Sequence, residues 1–320
     1  MGLVAAFGPI WILTGAGYLA RRRGLLAENG AAVLGQFLFH IAIPAALFVT
    51  LAKTPLSGFA PRPVAAFAAS TVVVIGVGWY VAGRWFDRKP GERAIWGMAA
   101  GYVNSANLGI PIAMQVLGNL SFLIEVVVLQ VLIVTPIILI VLDRYDDASG
   151  RIRPSRIASL PVRNPVILAS ALGVIASATR FHPPLVVQAT LSLLAGAAVP
   201  TALVALGASL YRARPAKTAA GEDIAVEHWR SAVAEMSVIT VAKLAVQPAI
   251  AFAVGAFALR LPHAQLLAVV ICAGLPSAQN TFVYAQHYRR GEALAGRAIL
   301  VTTTLSMATL AVMAALLHGR

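Results

Sequence analysis

The residues able to do chemistry lie in two short polar stretches, each set inside an apolar run. One reads Gly101-Tyr102-Val103-Asn104-Ser105-Ala106-Asn107-Leu108-Gly109-Ile110-Pro111, the other Gly274-Leu275-Pro276-Ser277-Ala278-Gln279-Asn280. Asn104, Asn107, Ser277, Gln279 and Asn280 offer neutral donors and acceptors, and neither stretch contains Asp or Glu. Proline removes a backbone N–H and clashes with the preceding turn, while glycine accepts irregular backbone. Gly101, Gly109, Pro111, Gly274 and Pro276 therefore mark candidate helix breaks, with a kinked but continuous helix as the alternative. Half-helix N-termini meeting there would present positive dipole ends and free N–H groups. Such a site suits an anion; a cation antiporter would want an ionisable carboxylate. Lys243 adds to this reading, because it lies about 12 residues, roughly 18 Å, into another apolar run. That is too deep to snorkel easily, and a charge so placed marks function. It pairs with a substrate carboxylate, neutralises half-helix C-terminal ends without touching substrate, or serves packing alone, and Gln247 follows one turn later on the same face.

What must position these residues is a membrane bundle. Of 320 residues 59% are hydrophobic and 12% charged, and the mean hydropathy is +0.81. A soluble domain needs more polar surface than that. Apolar runs between polar breaks predict ten all-α spans, at 3–20, 31–52, 63–83, 94–118, 122–142, 164–180, 185–209, 231–259, 265–288 and 293–317. The polar stretches 143–163 and 210–230 are too short to be domains. One cysteine, Cys272, excludes a disulfide framework and multi-cysteine metal sites.

The net charge of +13 is a matter of topology. If connections alternate sides, 19 of the 25 Lys and Arg fall on one side and five on the other, leaving Lys243 within a span. The positive-inside rule makes the rich side cytoplasmic and both termini external. No stacking aromatics are interleaved with the basic runs, so no nucleic-acid partner is expected. With no basic residue before Arg21, the amino terminus does not read as a cleaved signal.

The two halves repeat. Pro9 and Gly17 return as Pro165 and Gly173, and Ala42-Ile43-Pro44 returns as Ala198-Val199-Pro200, all at an offset of 156. Ala100-Gly101 with Asn107 returns as Ala273-Gly274 with Asn280. Five spans per half is odd, so the second copy must enter the membrane inverted, which is the architecture of secondary transporters with a midplane site. The expected units are 1–142, the cytoplasmic connection 143–163, and 164–320.

Other polar residues weigh less. Glu125 and Glu235 fall near helix ends, favouring an interfacial role over proton coupling. His40 sits near Pro44 and either titrates or, more simply, bonds between helices. Thr302-Thr303-Thr304 and Ser306 are expected to tie the last span to its neighbours. An intramembrane enzyme would need paired carboxylates, a metal cluster or an activated nucleophile, and no such constellation is apparent. None of the four lysines follows glycine, so there is no P-loop for an ATP-driven pump.

The stretch Asn104 to Pro111, Gly274-Leu275-Pro276, Lys243 ahead of Pro248, and Thr303-Thr304-Leu305-Ser306 resemble the auxin efflux carrier family across the whole chain. The resemblance is to a bacterial member with a PIN-like fold. It implies two inverted five-helix repeats with spans four and nine crossing at the site, spans one, two, six and seven as scaffold, and the rest as a moving, elevator-like transport domain. It also implies a homodimer in the inner membrane that carries small organic anions such as carboxylates, without a cofactor, with coupling to protons or sodium open. The short 143–163 connection lacks the long cytosolic loop of many plant members, which puts auxin itself in doubt. The bile-acid and sodium symporter family is the nearest alternative, but acidic sodium sites are not evident in spans four and nine.

Overall fold

A computed structural model describes residues 2–53, 60–146, 164–181, 183–211 and 222–318. The described residues are helical, with one isolated bridge in place of any strand. In chain order the helices are α1 (Gly2–Arg22), α2 (Gly30–Ala52), α3 (Pro61–Arg84), α4 (Pro90–Gly101), α5 (Ile110–Val116), α6 (121–146), α7 (Pro165–Thr179), α8 (Leu185–Leu210), α9 (222–258), α10 (His263–Ala273), α11 (Asn280–His287) and α12 (Glu292–His318). Six are long and apolar enough to cross a membrane: α2, α3, α6, α8, α9 and α12. Most of the 143–163 connection and most of 210–221 lie outside the described residues. Helix α9 begins at Glu222, earlier than the apolar run alone indicates.

Proline shapes the bundle twice over. At helix starts its missing N–H costs nothing; α3 and α4 open on Pro61 and Pro90. Helix α7 opens on Pro165 behind Asn164, whose Oδ1 accepts from Val166 N at 3.0 Å. Inside a helix the ring collides with the carbonyl four residues back, and a widened turn relieves the collision. Four π turns, Leu38–Ala42, Ser105–Gly109, Gln130–Val134 and Ala242–Val246, each end two residues before a proline: Pro44, Pro111, Pro136 and Pro248. A further π turn, Val254–Ala258, closes α9 without one.

Small residues set the helix contacts, as in a bundle without a hydrophobic drive between its helices. Gly17 of α1 and Gly207 of α8 bring those helices together, and Gly173 of α7 meets Phe48 and Leu51 of α2. Gly78 of α3 seats the Trp96 ring of α4, and Gly97 of α4 rests on the Ile75 carbonyl of α3. Helices α1, α2, α7 and α8 thus pack mainly on one another, while α3 packs on α4, α10 and α9. The outward faces carry bare apolar side chains, such as Val72, Val77 and Tyr80 on α3 and Leu185 and Leu193 on α8.

Candidate functional site

Helix α4 stops at Gly101 and α10 at Ala273, and beyond each the chain loses helical form before resuming at the π turn Ser105–Gly109 that leads into α5, and at α11. The two unwound segments cross and pair with each other. Val103 and Ser277 form an antiparallel bridge. Asn104 N donates to Pro276 O at 2.8 Å and Ala278 N to Tyr102 O at 3.1 Å. Backbone polar groups at membrane depth must find protein partners, and here each break supplies the other's.

Side chains complete the crossing. Ser277 Oγ donates to Ala99 O at 2.5 Å, while Ser277 N donates to Thr302 Oγ1 of α12 at 3.1 Å. Thr302 therefore ties α12 to the break, whereas Thr304 and Ser306 donate to carbonyls of their own helix. From α6, Gln130 Nε2 donates to Val103 O at 3.1 Å and Gln130 Oε1 accepts from Ser105 Oγ at 2.7 Å. Tyr102 Oη and Thr135 Oγ1 are 2.8 Å apart. Gln130 was not singled out by sequence; a lone amide in the run Ile124–Val134 carried the same kind of signal as Lys243.

A cavity of about 330 Å³ adjoins the crossing. Asn104, Ser105, Asn107, Gln279 and Asn280 line it from the breaks, together with Ile43, Ala46 and Thr50 of α2, Leu123 and Val127 of α6, and Ala198 and Ala202 of α8. No Asp, Glu, Lys or Arg is among its lining residues. Asn107 Nδ2 donates to Gln279 Oε1 across the two breaks at 2.8 Å. Two buried amide nitrogens, Asn104 Nδ2 and Gln279 Nε2, have no hydrogen-bond partner among the described residues. A buried donor without an acceptor is costly, and an incoming oxygen would remove that cost.

The sequence-predicted residues thus divide. Asn104, Asn107, Gln279 and Asn280 share the cavity, whereas Ser277 and Lys243 are fully buried and are not among its lining residues. Gly101, Gly274 and Pro276 border the crossing, Gly109 ends the π turn, and Pro111 lies in the first turn of α5. Lys243 Nζ donates to Gln247 Oε1 at 2.6 Å and Ala273 O at 2.9 Å. Glu125 Oε1 accepts from Ala60 N at 3.2 Å, and Glu235 binds Arg88. His40 Nδ1 lies 3.0 Å from Gln36 O of its own helix, and its ring is edge-on to that of His287 at 5.3 Å.

Comparison with known proteins gives the family. Residues 3–314 match the family described as membrane transport protein. The chain is 27% identical over 316 residues to a protein of Rhizobium meliloti (strain 1021) named "Putative malonate transporter", covering 96% of this chain and 92% of that one. It is 25% identical over 319 residues to an uncharacterized transporter of Methanothermobacter thermautotrophicus, covering 97% of each. It is also 25% identical over 290 residues to the uncharacterized transporter YfdV of Escherichia coli (strain K12), covering 88% of this chain and 86% of that one. The chain belongs to the membrane transport protein family, that of the auxin efflux carriers.

Proposed function

We propose that this membrane transporter carries small organic anions, carboxylates above all, by alternating access. The observation that carries the reading is the cavity beside the crossed breaks. It is lined by four amide side chains and no charged group, and two of its buried amide nitrogens lack acceptors. Amide donors and helix starts stabilise a carboxylate without the desolvation cost of a fixed countercharge. Asn104, Asn107, Gln279 and Asn280 hold the substrate, and the glycines and prolines of the breaks keep the backbone open. The Rhizobium meliloti relative is named for malonate, which places short dicarboxylates first among the anions to try.

The reading includes ten spans in two inverted repeats, 1–142 and 164–320, joined on the cytoplasmic side, with both termini outside in the bacterial inner membrane. Helices α1, α2, α7 and α8 serve as scaffold and the remainder as the moving part. Support comes from the exchange of partners between halves, since α1 packs on α8 and α7 on α2. The cavity lies where α2 and α8 meet the breaks, so sliding one group past the other would carry a bound anion across. The assembly is read as a homodimer, to be checked by mass in detergent.

Uptake into proteoliposomes of a panel of mono- and dicarboxylates is the test. Saturable uptake with counterflow is expected. Absence of flux with every acid, or flux unchanged in Asn107→Ala and Asn280→Ala, would overturn the reading.

A further inference from the structure

We propose that Lys243 is a tethered cation filling an oxygen-lined site formed by the C-terminal ends of both half-helices, in the place a coupling cation would take. The proposal rests on the transport reading above and assigns the charge requirement of the crossing. Half-helix C-terminal ends and unwound carbonyls are where transporters of this architecture coordinate small cations. Here the end of α10 is Ala273, whose carbonyl accepts from Lys243 Nζ at 2.9 Å. The end of α4 is Gly101, whose carbonyl accepts from Gln247 Nε2 at 2.9 Å, and that nitrogen also reaches Thr71 Oγ1 at 3.2 Å. Gln247 Oε1 in turn accepts from Nζ at 2.6 Å. One hydrogen-bonded chain thus runs from Ala273 O through Lys243 and Gln247 to Gly101 O.

The orientation of the Gln247 amide depends on this chain. Turned over, it would set its nitrogen against Nζ and its oxygen against Gly101 O, losing both contacts. Lys243 therefore orients the amide that holds the other half-helix, and one cation serves two negative helix ends. Both side chains have no exposed surface, and neither lines the cavity, so Lys243 acts through the helix ends as a positioning residue. Truncating it leaves the Ala273 carbonyl and Gln247 Oε1 facing a space that a sodium or small alkylammonium ion can enter.

Carboxylate uptake and thermal melting would be measured in sodium, choline and methylammonium media. Wild-type uptake and melting are expected to be indifferent to replacing sodium by choline; uptake or melting that specifically requires sodium would overturn the proposal. Lys243→Ala is expected to lose about 100-fold of uptake in choline, as for an unpaired buried group, and to regain part of it in sodium or methylammonium. Lys243→Met, of similar length without charge, should lose uptake in choline as Lys243→Ala does but, with the space filled, should not regain it in sodium or methylammonium; wild-type uptake by it in choline would overturn the proposal. If wild type moves no carboxylate in any medium, the transport reading fails, and melting decides this one. A rise for Lys243→Ala with sodium or methylammonium but not choline supports it, and no rise overturns it. Should the variants not fold, the wild-type sodium arms still decide.

Discussion

Gly17 lies so close to Val204 that a Cβ added to it would stand 2.1 Å from the valine carbonyl oxygen. Gly173 meets Phe48 in the same way, its added Cβ 3.0 Å from that carbonyl oxygen. The two contacts are related by one offset, 173 − 17 = 204 − 48 = 156. A glycine of each half therefore rests on the backbone of the other half's second long helix. Interlocked halves of this kind explain why α1 seats on α8 rather than on its sequence neighbour α2.

The close approach has a measurable consequence. Gly17→Ala, and Gly207→Ala where the added Cβ would lie 1.9 Å from Thr14 O, must push α1 off α8. Overpacking against backbone costs about 1–3 kcal/mol. Both variants should melt lower in detergent, while Gly15→Ala and Gly196→Ala, with nothing within 4 Å, should not. Equal melting of all four would contradict the contact.

The bond between Asn107 and Gln279 joins the two breaks through side chains that also face the cavity. Asn107→Ala and Gln279→Ala should each lower carboxylate uptake by about 10- to 100-fold, the worth of one or two hydrogen bonds to a charged group. Their effects should be less than additive, because either change breaks the same bond. A double-mutant cycle on initial rates reads this directly, and strictly additive losses would mean the two amides work independently.

Gln130 offers a separate prediction from a helix outside the breaks. Gln130→Leu keeps the volume but strands the buried Ser105 Oγ, at about 1–3 kcal/mol for the unsatisfied group, and takes one of two donors from Val103 O, which keeps Ser105 N at 2.9 Å. Melting and uptake should fall together, whereas Gln130→Glu, which still accepts from Ser105, should retain more of both. If Gln130→Leu melts like wild type, the contact does not hold the break.

Membrane class, helicity and family were legible because they rest on composition, run length and local motifs that survive without tertiary detail. The break residues were legible for a related reason, since Gly, Pro and amides are conspicuous against Ala, Val and Leu. The cavity's other wall was not. Ile43, Ala46 and Ala198 look like any lipid-facing residue until packing sets them opposite the amides. Ser277 and Asn280 were indistinguishable as candidates, because which of them turns toward a carbonyl and which toward the cavity depends on the crossing of two distant segments. The π turns were likewise hidden, although Pro44, Pro136 and Pro248 mark where each helix has to widen.

The pairing of Arg88 with Glu235 gives a pH prediction. Arg88 Nε donates to Oε1 at 2.8 Å and Nη2 to Oε2 at 2.6 Å. That hydrogen bonding, more than any other cause, raises the guanidinium above its ordinary value; desolvation opposes it, and the charges of Glu235 and Glu92 add to it. A cation with a raised folded-state pKa gives stability that is complete below the unfolded value and lost only as pH climbs through the folded one. For arginine that loss lies far above neutral pH, so Arg88 stays charged and its contribution stays flat across the neutral range. The carboxylate end is 6% exposed against 33% for the arginine, so removing the cation should cost more than removing the anion. Arg88→Ala should lower the melting temperature more than Glu235→Gln, and adding Glu235→Gln to Arg88→Ala should restore part of the loss. A double variant melting no higher than Arg88→Ala alone would show that Glu235 finds another partner.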